Sequence, residues 1–175
     1  MMQRFRLQPT HWFSGALLLI LALALYRPGG TGPLPRTPSP AFRTVIIYHV
    51  VGDSDDQWLE PLRRNLAAQS ELMAGTLNLM GKLPTSESPL PPGARAISVT
   101  LQGEGVALAD FNGAFVSNFP GGSLRESLII NAVLKTLAQF PGVKAVQFTV
   151  DGKIIDTLGG HVDLSEPQEV PELTV

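Results

Sequence analysis

Fifteen consecutive residues without a charge, Trp12 to Tyr26 (WFSGALLLILALALY), followed at once by a proline- and glycine-rich stretch, decide where this chain can build a domain. As a helix the apolar run is about 22 Å long at 1.5 Å per residue, against roughly 30 Å for a bilayer's hydrocarbon core. Residues 1–26 therefore read as a signal peptide or as a signal anchor. Ala22 and Ala24 form an A-x-A-like site, but it lies inside the run rather than after it, which argues against cleavage. Trp12 and Tyr26 bracket the run as interfacial aromatics do, and Arg4 and Arg6 precede it as the positive-inside tendency requires. The expectation is a single-pass anchor in the cell membrane with the rest of the chain on the extracytoplasmic side. The alternative is secretion after cleavage. Residues 27–41 hold Pro28, Pro33, Pro35, Pro38 and Pro40 with Gly29, Gly30 and Gly32. Such a segment has few donors and fixed φ values, so it reads as an extended spacer.

What remains, residues 42–175, is enough for one compact domain. Apolar residues make up 44% of the chain and charged residues 16%, so a core can form and wholesale disorder is excluded. The absence of Cys removes disulfides, thiolate metal sites, a thiol nucleophile and a lipidated N-terminal Cys. Arg4, Arg6, Arg27 and Arg36 are the only charged side chains before residue 41, which leaves 9 basic against 15 acidic groups in the body. A body near −6 with no basic cluster legible in its sequence lacks the footprint of a nucleic-acid binder.

Along that body, Thr44 to Val51 (TVIIYHVV) predicts a strand, central in a sheet. Gly52 to Glu60 reads as a polar turn. Leu62, Leu66, Met73, Leu77 and Met80 recur at near-helical spacing and predict a helix over residues 62–79, weakened by Gly75. After a proline-rich loop, Ile97, Val99 and Leu101 alternate with Ser98, Thr100 and Gln102, the period-two pattern of a half-buried strand. Gly103-Glu104-Gly105 turns it into a partner, Val106 to Phe111. Ser123 and Glu126 match a capping box, opening a helix that runs to Phe140 and stops at Pro141-Gly142. Ala145 to Val150 and Lys153 to Leu158 flank Asp151-Gly152, a strong hairpin signal. The sum is an α+β fold: a single compact domain over residues 42–167, a mixed β-sheet covered by two helices, with 168–175 as a C-terminal tail.

Several constellations carry groups capable of chemistry. Asp53, Asp55 and Asp56 offer oxygens, but an EF-hand register from Asp53 puts Trp58 and Arg64 where Gly and an acid belong, so a solvated turn is expected. His161 with Asp163 makes an H-x-D pair beside Gly159 and Gly160. No third ligand is visible, and the facing of His49 is open, so no metal and no cofactor is expected. The simpler reading has the glycines supplying φ > 0 and Asp163 capping a turn. Glu126, Asp151 and Asp156 are conceivable members of a glycosidase pair, yet each has a local role in a cap, a turn or a strand. The chain is therefore read as non-enzymatic. Gly121 and Gly122 before the helix at Ser123 either leave free amides for a carboxylate or, the simpler reading, form a plain turn into a capped helix, and Asn131 in an apolar helix either faces a groove or satisfies a core carbonyl. Gly121, Gly122, Ser123, Asn131, His161 and Asp163 are the candidate ligand-binding residues.

The stretches Gly122-Ser-Leu-Arg-Glu126, Asn131 to Val143, Val146 to Gly152 and Leu158-Gly-Gly-His-Val-Asp-Leu-Ser165 closely resemble the GerMN domain. Pro92 to Val99, Gly105 to Phe111 and Ile47-Tyr48 add to the likeness, which covers roughly Thr44 to Pro167. Val50 to Leu90 departs from the pattern, since Ala74-Gly75 is followed by Thr76 rather than by Pro. The resemblance implies a bacterial extracytoplasmic domain of the sporulation and spore-germination kind, without catalytic residues. It implies a binding or assembly module whose partner is an envelope protein or peptidoglycan. Two other readings stay open: a cell-wall hydrolase accessory, and a ring-forming element that would form homo-oligomers.

Overall fold

The computed structural model describes residues 41–53, 56–68 and 71–172. The apolar run, residues 27–40 of the spacer and Asp55 lie outside them. Among the described residues no helix is long and apolar enough to cross a membrane.

Two sheets form, where one was expected. β1 (Phe42–Asp53) and β2 (Asp56–Ala67) make a long antiparallel ribbon with an unbroken register from Phe42 opposite Ala67 to Asp53 opposite Asp56. The strand over Thr44–Val51 is thus present but is not central in the main sheet. Of the expected turn at residues 52–60, Gly52 and Asp53 end β1 and residues 56–60 open β2, which also takes the first part of the expected helix, and the helix α1 is confined to Leu72–Met80. The cause is arithmetic: Leu62 and Leu66 are four apart, a spacing that puts two side chains on one face of a helix and equally of a strand.

The second sheet has the order β3-β4-β5-β6, with β7 also on β5. β3 (Ala96–Leu101) and β4 (Val106–Phe111) are antiparallel around a short 3₁₀ turn at Gly103–Gly105, as the alternation predicts. β4 runs parallel to β5 (Ala145–Val150). A parallel neighbour needs a crossover, and it is supplied by the one-turn helix α2 (Ala114–Ser117) and the long helix α3 (Ser123–Ala138). At the Asp151-Gly152 hairpin both residues have positive φ, 49° and 77°, as a two-residue type I′ turn requires. The returning strand β6 is only Lys153–Ile154, not the run to Leu158. β7 (Gln168–Glu169) comes from the segment read as a tail.

The core is continuous. Phe111, Phe115 and Phe148 are each fully buried, with Phe111 and Phe115 stacked at 4.2 Å between ring centroids. Ile129, Val133 and Leu137 of α3, Leu77 and Met80 of α1, and Ile47 of β1 join the same cluster. The ribbon is fixed to α3 through backbone atoms. Gln139 accepts from the Ile46 amide at 2.8 Å and donates to the Ile46 carbonyl at 2.6 Å, while the Tyr48 amide donates to Thr136 Oγ1 at 3.3 Å. These side chains satisfy the edge of β1 that β2 leaves open, a service an edge strand needs if it is not to pair elsewhere.

Candidate functional site

Glu126 stands one turn into α3, on the stripe that continues through Ile129, Val133 and Leu137. That stripe faces the core, and Glu126 is buried with 0% exposure. Burying a carboxylate costs several kcal/mol unless hydrogen bonds replace its water, and here all of them come from the loop after β6. Oε1 accepts from Thr157 Oγ1 at 2.9 Å and from the amides of Leu158 and Gly159 at 3.2 and 2.8 Å. Oε2 accepts from the His161 amide at 3.0 Å and faces His161 Nδ1 at 2.9 Å. Burial raises the carboxyl's pKa, but the bonds from Gly159, Thr157 and His161 outweigh it and hold the group at about 2.

The capping box read from Ser123 and Glu126 is therefore not formed. Ser123 makes no cap bond and Glu126 does not reach back to the cap amide. Its carboxylate is committed to residues 157–161, a partner set 31 to 35 positions away in sequence that no local pattern reveals.

Two glycines in that loop do different things. Gly160 takes φ +90°, as expected, but Gly159 does not have positive φ. It is needed because a Cβ there would lie 2.4 Å from Phe119 Cε1 and 3.1 Å from Glu126 Oε2. Phe119 belongs to the segment leading into α3, so the helix entrance and the 157–161 loop close on each other across Gly159. An ionised carboxylate only accepts, so His161 Nδ1 must donate to it. That fixes the ring's orientation and leaves Nε2 as the free atom. The His161 side chain is half exposed, beside an open groove also lined by Asp156, Asp163 and Ser165.

The six candidate residues are only partly brought together. His161 and Asp163 share this groove. Asp163 Oδ1 accepts from the Ser165 amide and hydroxyl at 3.0 and 2.6 Å, the turn-capping role expected of it, and these bonds lower its pKa. Gly121 and Gly122 are exposed, each with φ +91°, and lead directly into α3. Asn131 is exposed and donates to the Ser127 carbonyl of its own helix at 2.8 Å, so it neither enters the core nor lines this groove. His49 pairs loosely with Glu87 at 3.7 Å instead of joining His161. Among the described residues no three His, Asp or Glu side chains gather as a metal site would require. Asp151 and Asp156 are exposed in the hairpin turn and the loop after β6. In sequence Glu126 has only the spacing of a cap. The signal that could have revealed its role is a lone acid on an otherwise apolar helical stripe, with a Thr-x-Gly-Gly-His run downstream.

With this fold and loop in place, the family is settled: residues 46–156 match the model of the Germane domain, described as sporulation and spore germination, and the chain belongs to that family. The fold is similar to the tandem GerMN domains of the sporulation protein GerM from Bacillus subtilis, with TM-score 0.61 and 19% identity, covering 82% of this chain and 48% of that one. The chain thus spans about half the length of that tandem structure. The first GerMN domain of the same protein matches with TM-score 0.58 and 20% identity over 73% of this chain and 97% of its own. A candidate lipoprotein from Clostridium perfringens matches with TM-score 0.52 and 16% identity over 76% and 92%. At these identities the structural likeness bears on the fold. No curated relative matches the chain in sequence.

Proposed function

We propose that this chain is a non-catalytic GerMN domain protein of the bacterial cell envelope, held on the extracytoplasmic side by residues 12–26 and binding a protein partner or peptidoglycan. The observation that carries the reading is the full commitment of Glu126. A general acid for glycoside cleavage needs a raised pKa and room for a substrate oxygen, whereas this carboxylate is driven down and has five donors around it. Its service is structural: it holds the 157–161 loop rigid and presents His161 and Asp163 at the surface. A preformed loop loses less entropy on binding, which suits it to recognition. The family membership supports the envelope setting, as does the apolar run before a spacer.

The test has two arms. Because the chain has no Cys, a Ser117→Cys variant gives a single thiol at an exposed site. It should react with a membrane-impermeant maleimide in intact cells, and labelling only after lysis would contradict the location. Purified sacculi incubated with the protein should release no soluble fragments. Release that disappears in Asp151→Asn or Asp156→Asn would favour an enzyme instead.

A further inference from the structure

The ribbon is electrically polarised along its length. The half formed by residues 42–48 and 61–67 carries Arg43, Arg63 and Arg64 and no acid, while the half formed by 49–53 and 56–60 carries Asp53, Asp56 and Glu60 and no Lys or Arg. With twelve residue pairs at about 3.4 Å each, the two ends are separated by roughly 37 Å. The basic end does not stop at the ribbon. Leu66, paired with Arg43, lines a groove with Lys82 and Arg95, so two further cations from other elements converge on that end. Among the described residues both ion pairs involve His, and none of these five cations has an acidic partner. Glu71, exposed at the start of α1, is the acid nearest in sequence to this end of β2. Phe42, opposite Ala67 at the extreme of the ribbon, is 61% exposed.

We infer that this basic end, which carries Arg43, Arg63, Arg64 and the exposed Phe42 and is flanked by Lys82 and Arg95, is a docking surface for an anionic lipid membrane. Charges on an edge strand can serve only to prevent mispairing, but that leaves unexplained the separation of signs along the ribbon and the convergence of Lys82 and Arg95. A surface of this sign on a body near −6 fits an anionic partner. The position selects lipid among anionic partners. The chain enters the domain at this end, since β1 starts at Phe42, fifteen residues after the spacer begins. The inference rests on reading residues 12–26 as a membrane anchor. Clustered Lys and Arg and an exposed aromatic are the components of interfacial attachment, and a docked ribbon would point its acidic tip away from the bilayer.

The experiment uses the full chain in lipid vesicles. Asn65→Cys carries a nitroxide probe near Arg63 and Arg64, and Gln57→Cys carries one at the acidic tip. Contact is read by relaxation from paramagnetic headgroup lipids, in neutral phosphatidylcholine and in vesicles that also contain phosphatidylglycerol. The expected result is strong relaxation at residue 65 in anionic vesicles only, none at residue 57, and loss of the effect near 1 M salt, where the screening length falls to about 3 Å. Arg43→Gln, Arg63→Gln and Arg64→Gln should each weaken docking about fivefold, and the triple variant roughly a hundredfold, with the circular dichroism spectrum unchanged. Flotation with neutral vesicles reports the anchor separately, and its failure overturns the anchor reading itself. Flotation with equal relaxation at residue 65 in both lipids overturns the docking alone. So does protection of residue 65 by purified sacculi but not by anionic vesicles, which would assign the surface to a wall polymer.

Discussion

Replacing Glu126 by Gln keeps the side chain's shape and removes its charge. Oε1 can still accept from Thr157, Leu158 and Gly159, but an NH₂ group then meets the two donors of His161, its amide at 3.0 Å and Nδ1 at 2.9 Å. The ring can switch tautomer and accept; the part-buried backbone amide cannot. Stranding one such group costs about 1–3 kcal/mol, and losing charge-assisted bonds adds to it. The lowered pKa expresses the same bonds as a free energy of similar order. A carboxyl at about 2 instead of 4.5 corresponds to about 3 kcal/mol at 1.36 kcal/mol per tenfold change. Because the folded value is the lower one, this stability is complete above the unfolded pKa and is lost as pH falls from 4.5 through about 2. Urea denaturation of the 41–175 fragment should therefore give Glu126→Gln a deficit of about 3 kcal/mol at pH 7, with the m-value unchanged. The deficit should shrink steadily below pH 4.5, be small by pH 2 and vanish below it. A deficit under 1 kcal/mol at pH 7, or one that does not change with pH, would refute the role assigned to this carboxylate.

Gly159→Ala should destabilise the fold by about 2 kcal/mol through overpacking against Phe119, and Phe119→Ala should recover part of that loss in a double-mutant cycle. Gln139→Ala removes both bonds to Ile46 and should cost about 1–2 kcal/mol, with amide exchange accelerated at Ile46 and less so in β4 and β5. Gly152→Ala meets no neighbour within 4 Å but must hold φ +77°, so thermal melting should report a loss of about 1 kcal/mol from backbone strain alone. His161→Ala should lose about 1–2 kcal/mol, less than Glu126→Gln, because the amide at residue 161 keeps its bond to the carboxylate.

Where the apolar period was unambiguous, the elements could be read from residues alone. The alternation over 97–101, the turn at 103–105, the long helix from Ser123 and the Asp151-Gly152 hairpin all stand close to where the pattern puts them. The ribbon is not legible because Leu62 and Leu66 satisfy both periods, and nothing local distinguishes a strand paired across 12 residues from the first turns of a helix. A pairing of that kind is a non-local property. The same limit hid the site. Ser123 and Glu126 have the spacing of a cap, and only the tertiary approach of Thr157 to His161 redirects the carboxylate. The H-x-D pair was visible in the loop, whereas the acid that orients its imidazole sits 35 residues earlier on a helix.

A photo-crosslinking residue in place of Asp163, in cells that make the full chain, tests the binding role most directly. The groove beside His161 should yield an adduct with an envelope protein or with peptidoglycan in intact cells, and the adduct should fade when Glu126→Gln loosens the loop. Capture of cytosolic neighbours alone, or an adduct whose yield ignores Glu126, would contradict it.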